Sequence, residues 1–468
     1  MTKARNIADL LDANGDVKSA SLDNVPASDD ASALTTGTLP IARIADSAIT
    51  SAKIADGSIV SADLHNDAKV VKSANAPTSP VEGNLWYDTT NEILKVYNDT
   101  ESAFVKISRI TPTLSSVSGT IINGLAGNLT LTGTGFLEAN LIVSFTPSGG
   151  SASTVTLTPT SSTLATVAVP SAIYGQSANT VTAIKVTNSD SQDSGNINKT
   201  VVALPTGGTI SSYGSTRVHT FTSSANFVVP STFSTSIDTL LVAGGGAGGN
   251  WHAGGGGAGG MFTYTHTPSA GTYSIVIGSG GAGGTTSVGS QGGSSTAFSQ
   301  TAIGGGRGGN YDSTSAGSGG SGAGGNGTTT GSYSNGASGT SGQGNNGGNG
   351  AGDHQSGGGG GKGATGGNAS GTSSSGNGGI GGTNNYQTGS NQYYAGGGGG
   401  GNWNTGTIAQ GGNGGGGNGS YSQNSGAPTA GTVNTGGGGG GSGSQGNNTS
   451  YASQTTGGSG IVIIKYSI

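Results

Sequence analysis

The spacing of apolar residues changes character along the chain. From Ile44 to Leu64 apolar positions recur every five residues, at Ile44, Ile49, Ile54, Ile59 and Leu64. A five-residue step advances about 140° on a helix and alternates faces on a strand, so it builds no single stripe on either. One thin chain cannot bury these isoleucines, whereas three chains around one axis can, each isoleucine meeting its two copies. Residues 37–72 are therefore expected to form a homotrimeric repeat shaft, the rival reading being an unstructured linker. Further on, Leu85-Trp86-Tyr87-Asp88, Ile93–Tyr97 and Ala103–Ile107 read as three strands of a small β module over 73–109, with Trp86 in its core. Three strands bury too little alone, a second reason to expect a trimer.

Between 110 and 205 short Val/Thr/Leu runs alternate with turns: Leu129–Thr132, Leu141–Phe145, Val155–Thr158, Ala165–Val169 and Val181–Val186. This spacing predicts an immunoglobulin-like sandwich. Residues 206–468 then combine a few apolar runs, Ile237–Val242, Tyr273–Ile277 and Ile461–Ile464, with 83 of the 99 glycines lying beyond residue 240. Composition alone admits a flexible linker here. The flanking strands argue instead that the ends of this segment meet and that the glycines pack. The expected conformation is the extended threefold helix of polyglycine II, with hydrogen bonds between neighbouring runs. Gly254–Gly257, Gly357–Gly361, Gly396–Gly401, Gly414–Gly417 and Gly436–Gly441 are the candidate rods. The segments between rods carry aromatics beside amides, and from them come the candidate binding residues: Trp251, His252, Tyr311, Tyr386, Tyr393, Tyr394, Asn402, Trp403 and Tyr421. Aromatic rings give contact area at low entropic cost and Asn gives adaptable hydrogen bonds. The plain alternative is that they are solubilising turn residues.

Charge narrows the function. Residues 1–109 hold 10 of the 16 basic and 15 of the 21 acidic residues, and between 241 and 460 only Arg307, Asp312, Asp353 and Lys362 are charged. A net charge of -5 offers no basic surface for nucleic acid. There is no cysteine, hence no disulfide framework or thiolate site, and no apolar run reaches membrane-spanning length. The start, Met1–Ile7, lacks the apolar core of a secretory signal, and no membrane insertion is expected. Gly278–Gly283 fits a dinucleotide-loop pattern, but Gly284-Thr285-Thr286 cannot open the helix that loop needs. Gly357–Gly361 with Lys362 lacks the Ser or Thr of a phosphate loop. Asp12, Asn14 and Asp16 resemble a calcium loop with a misplaced glycine. The five histidines read as dispersed, and Asp312 and Asp353 do not suggest a carboxylate pair. No catalytic residue, metal or cofactor is expected.

Several stretches resemble known families. Pro112, Gly127, Leu129, Leu131 and Gly133-Thr134-Gly135-Phe136 are similar to the first strands of IPT/TIG domains. Leu85-Trp86-Tyr87-Asp88 with Leu94-Lys95-Val96-Tyr97 resembles a small β module of phage fibres, and Gly37–Arg43 resembles their shafts. Leu241–Gly249, Tyr273–Gly281 and Gly457–Tyr466 resemble the glycine-rich distal domains of bacteriophage tail-fibre adhesins. Residues 1–36, where Ile7, Leu10 and Leu11 sit at helical spacing, look like attachment segments of fibres from marine cyanophage-like viruses. The resemblance implies an all-β, trimeric, elongated and non-enzymatic virion protein. Residues 1–36 would join another tail or baseplate protein. The glycine-rich tip would bind a host surface glycan or outer-membrane protein, and replacing Trp403 and Tyr394 would abolish adsorption. Two alternatives remain open: a structural fibre component whose recognition lies elsewhere, or a bacterial surface adhesin.

Overall fold

The computed structural model describes Asn14 and residues 70–91, 93–107, 111–136, 140–189, 191–284, 289–311, 315–329, 334–370, 374–403, 406–421, 427–443 and 455–468. The attachment segment, the five-residue repeat and the calcium-like loop thus lie outside the described residues, Asn14 excepted. The chain divides into two units, Met1–Arg109 and Ile110–Ile468.

In the first unit four strands form one sheet in the order β1-β2-β3-β4: β1 (Val70–Ser73), β2 (Leu85–Asp88), β3 (Ile93–Asn98) and β4 (Ala103–Lys106). β1 joins parallel to β2 and begins inside the stretch expected to be shaft. Asp88 ends β2 by accepting from the amides of Thr90 (3.0 Å) and Asn91 (3.2 Å), from Asn91 Nδ2 (2.9 Å) and from Lys95 Nζ (2.8 Å). The Lys95 ammonium, with Asn91, holds the Asp88 carboxyl well below the usual carboxylate range. Trp86 is 6% exposed, edge-on to Phe104 and beneath Lys95 Nζ, 4.5 Å from its ring.

The second unit opens with a two-layer sandwich. One layer is β10-β7-β5, the other β6-β12-β11-β8-β9. The strands are β5 (Thr113–Ser118), β6 (Ile121–Ile122), β7 (Asn128–Thr134), β8 (Leu141–Pro147), β9 (Ser153–Leu157), β10 (Leu164–Ala168), β11 (Val181–Thr187) and β12 (Ile197–Val202), with a single helical turn α1 (Ser171–Tyr174). Alternation drives the burial. Leu129 and Leu131 on β7, Leu141, Val143 and Phe145 on β8, and Ile184 and Val186 on β11 meet in one core.

The rest of the unit is framed by five antiparallel strands in the order β13-β14-β23-β16-β17. These are β13 (Thr209–Tyr213), β14 (Thr216–Phe221), β16 (Ile237–Val242), β17 (Met261–His266) and β23 (Ile461–Ser467); β15 (Ala225–Val229) and β18 (Gly271–Ile275) form a separate pair. Two short hairpins complete the set, β19 (Ser295–Ala297) with β20 (Gln300–Ala302), and β21 (Gly382–Asn384) with β22 (Gln392–Tyr394). β16 and β23 are neighbours, with Val242 opposite Ile461, so the glycine-rich segment leaves the sheet and returns to the same place. The central strands are covered on both faces. Leu241, Val462 and Ile464 pack with Phe221 and Phe227, while Leu240, Val242, Ile461 and Ile463 pack with Met261 and Tyr394. Buried His219 on β14 bonds Gly207 O (2.7 Å) through Nδ1 and the Tyr466 hydroxyl (3.1 Å) through Nε2. A carbonyl can only accept, so Nδ1 carries the proton and Nε2 accepts from Tyr466. Burial, its main cause, pulls the pKa of His219 down to about 4.

The glycine runs are bonded to one another with a period of three. Gly244 and Ala247 donate to Gly293 and Ser290, Gly245 and Gly248 to Gly458 and Thr455, and Gly246 and Gly249 to Gly257 and Gly254. Residues 254–260 repeat the pattern toward 303–309, 357–360 and 436–439, and they accept from 246–249, 321–324 and 398–401. This run is a threefold helix with six bonded neighbours, the packing that lets the amides and carbonyls of an extended glycine helix be satisfied away from water. Glycine is required here for space. A Cβ on Gly256 would lie within 3.0 Å of the backbone of Gly246 and Ala247, and one on Gly255 would do the same to Gly398 and Gly399.

Candidate functional site at the end of the glycine lattice

The run 244–249 leads away from the frame, turns through Asn250-Trp251-His252 and returns along 253–260 into β17. Trp251 and His252 adopt left-handed conformations (φ 64° and 43°), as do Asp353 and His354 (57° and 65°) in a turn from another run. For non-glycine residues this costs energy and persists where surroundings enforce it. Neighbouring runs do so here. The Tyr311 amide donates to Trp251 O (3.1 Å), the Gly327 amide to His252 O (2.9 Å) and the His354 amide to Thr328 O (3.2 Å).

These turns bring five rings together. His252 is the hub, with ring centroids 4.2 Å from His354, 4.8 Å from Tyr311, 4.8 Å from Trp403 and 5.8 Å from Trp251. Trp251 and Tyr311 lie 4.7 Å apart. His252 is only 2% exposed, whereas Trp251, Tyr311, His354 and Trp403 are half-buried. Burial, helped by the nearby His354, pulls the pKa of His252 down to about 3, so its ring is neutral. Both His252 nitrogens, Trp251 Nε1, His354 Nδ1 and Gln355 Oε1 are buried without a hydrogen-bond partner. Buried Asn402 bridges to Gln355 on one side and to half-buried Tyr421 on the other.

Six of the nine sequence-predicted residues therefore share this end: Trp251, His252, Tyr311, Asn402, Trp403 and Tyr421. The other three do not. Tyr386, Tyr393 and Tyr394 belong to the 382–394 hairpin against the frame sheet. Tyr394 is 4% exposed, packs with Leu240, Val242 and Met261, and donates its hydroxyl to Gln387 Oε1 (2.8 Å). Tyr386 packs against the same core beneath Lys465 Nζ, 4.5 Å from its ring. Tyr393 is 47% exposed but apart from the ring cluster. Tyr394 is a core residue, so its replacement does not probe binding. Sequence reading also treated the histidines as dispersed. The lattice joins His252 and His354, and the only local signal was a histidine in each of two rod-end turns.

An all-β chain with a two-layer sandwich and a framed glycine lattice defines the class. The chain belongs to the glycine-rich domain family, whose model matches residues 219–467, from β14 to β23. No curated protein matches the chain. Among solved structures it is similar to the FN1–FN3 domains of chicken CNTN1, at 14% identity and a TM-score of 0.18, over 38% of this chain and 63% of that one. It is also similar to a segment of two fibronectin type III domains from chicken tenascin, at 13% identity and a TM-score of 0.16, over 36% of this chain and 88% of that one.

Proposed function

We propose that the chain is a homotrimeric bacteriophage tail-fibre protein that attaches the virion to a host surface receptor, a glycan or an outer-membrane protein, without catalysis. Residues 1–36 join a tail or baseplate protein, and the repeat, small β module and IPT/TIG-like sandwich act as spacers. The end of the glycine lattice makes the contact. One observation carries this reading: turns far apart in sequence converge so that half-exposed Trp251, Tyr311 and Trp403 surround a buried His252. Each turn is clamped by backbone bonds to neighbouring runs, so the aromatic surface is pre-organised and little entropy is lost on binding. Three such ends on one fibre turn weak contacts into firm attachment. The protein then acts as part of the virion, at the host cell surface.

The test is adsorption of labelled full-length protein to a panel of bacterial strains. Wild-type protein is expected to bind a subset of strains saturably, and Tyr311→Ala and Trp403→Ala to lose that binding while keeping the trimer. Saturable binding that neither variant weakens would move recognition elsewhere on the chain. No binding to any strain would favour a purely structural fibre component.

A further inference from the structure

The ring cluster contains a feature that aromatic attachment does not use. The imidazoles of His252 and His354 stand 4.2 Å apart at 65°, nearer than any other pair in the cluster. Each is held by a left-handed turn residue, at φ 43° and 65°, so two strained backbones converge to bring them together. Neither nitrogen of His252 has a hydrogen-bond partner, although the residue is almost wholly buried, and His354 Nδ1 is likewise buried and unpartnered. A neutral imidazole carries one N–H and one lone pair. Leaving such groups unpaired in the interior is costly, because their bonds to water are lost and not replaced. Gln355, next to His354, adds a buried and unpartnered carbonyl oxygen, Oε1. Trp251 Nε1 is a donor only and cannot ligate.

We propose that His252 and His354 together bind one divalent first-row transition ion, of the zinc, nickel or copper class, at the end of the glycine lattice. Gln355 Oε1 is the further oxygen donor in reach of the same turn, and water fills the remaining positions. Imidazole nitrogen suits these ions and not magnesium or calcium. Two imidazoles bound side by side to one ion at about 2.0–2.1 Å have ring centroids roughly 4.5 Å apart at a right angle and roughly 5.2 Å apart at the tetrahedral angle. From the observed 4.2 Å the rings would part by about 0.3–1 Å. The ion would tie the 250–252 turn to the 353–355 turn, cross-linking two runs at turns whose backbones are left-handed. Among the described residues no group of three or more His, Asp or Glu side chains gathers. The ion would therefore keep open positions, and its affinity would be modest.

The experiment uses the full chain without an affinity tag. Isothermal titration with zinc and nickel chloride is run beside magnesium chloride, and melting temperature is followed in the metal and in EDTA. One zinc or nickel ion per chain is expected to bind saturably, raising the melting temperature with ion concentration, while magnesium does neither. His354→Gln is expected to melt as wild type in EDTA. Altering an outer-shell partner alone costs about 10–100-fold in metal affinity, so loss of a direct ligand should weaken binding at least about tenfold. Should His354→Gln fail to fold, the visible spectrum of the cobalt-loaded wild type replaces it, and bands of nitrogen-ligated cobalt at one per chain are expected. Absence of saturable heat and of a thermal shift in the wild type would overturn the proposal. So would equal affinity in His354→Gln, or a cobalt spectrum of the hexaaqua ion.

Discussion

Replacing Gly256 by alanine tests the lattice at an enclosed point. The added Cβ would lie within 3.0 Å of Gly246 O, Gly246 C and Ala247 O, all backbone atoms. Ordinary contact requires about 3.4 Å or more, and no flexible side chain is there to move aside. The run 244–249 would have to retreat. It is held in place by the bonds from Gly246 N to Gly257 O (2.9 Å) and from Gly249 N to Gly254 O (3.1 Å). Overpacking a close-packed interior costs about 1–3 kcal/mol. Stretching those bonds until one buried donor and one acceptor lose their partners adds about 1–3 kcal/mol. The total, roughly 2–6 kcal/mol, is a large part of the stability of a typical domain. Urea unfolding followed by tryptophan emission reads the loss well, because two of the three tryptophans, Trp251 and Trp403, sit at the lattice end. Gly195→Ala is the control: a Cβ there meets nothing within 4 Å, and its effect should stay within about 0.5 kcal/mol. Were Gly256→Ala to unfold at the same urea concentration as this control, the close packing of glycine backbones would be refuted.

Three further predictions follow from local features. His219, whose pKa is about 4 in the folded chain and about 6.5 when free, binds its proton more readily after unfolding, so its contribution is complete above pH 6.5 and declines as pH falls toward 4. Urea titrations at pH 7.5 and 4.5 should show the glycine-rich domain losing roughly 2–3 kcal/mol from this group, and unchanged stability would show that His219 is not buried as described. Ser299→Gly should stabilise the β19–β20 hairpin by about 0.5–1 kcal/mol, because Phe298 and Ser299 both have positive φ in its two-residue turn; a lower melting temperature would contradict this. Tyr394→Ala should destabilise the domain by about 3–5 kcal/mol, in contrast to Tyr311→Ala, and equal melting temperatures for the two variants would refute their different placement.

The all-β architecture was legible because burial alternates with the pleat. Leu129, Leu131, Leu141 and Val143 announce their strands by period two. Among the strands that sequence reading missed, β5 and β12 are Ser-rich or carry Asn and Lys, and β5 buries only Val117. The adjacency of β16 and β23 was implied by two apolar runs enclosing a segment with almost no charge. The order of the rods was not readable, since a glycine run has no side chain to name its neighbour. Only the three-residue bonding period distinguishes, for example, Gly357 from Gly439 as the partner of a given amide in 254–260. The same limit explains the candidate site. Aromatic content marked all the turns alike. It did not separate Trp251, Tyr311 and Trp403, which the lattice carries to one end, from Tyr386 and Tyr394, which a hairpin turns onto the sheet. The meeting of His252 with His354 depends wholly on rod order.

The measurement that bears most directly on the central claim is amide hydrogen exchange of the full-length chain, read by mass spectrometry. If the glycine-rich half is a bonded lattice that holds its aromatic end rigid, amides 244–249, 254–260 and 396–401 will be protected to the same degree as strands β16 and β23. Complete exchange of these glycine amides within seconds, beside protected strands, would show a flexible tether and would remove the physical basis of the attachment site.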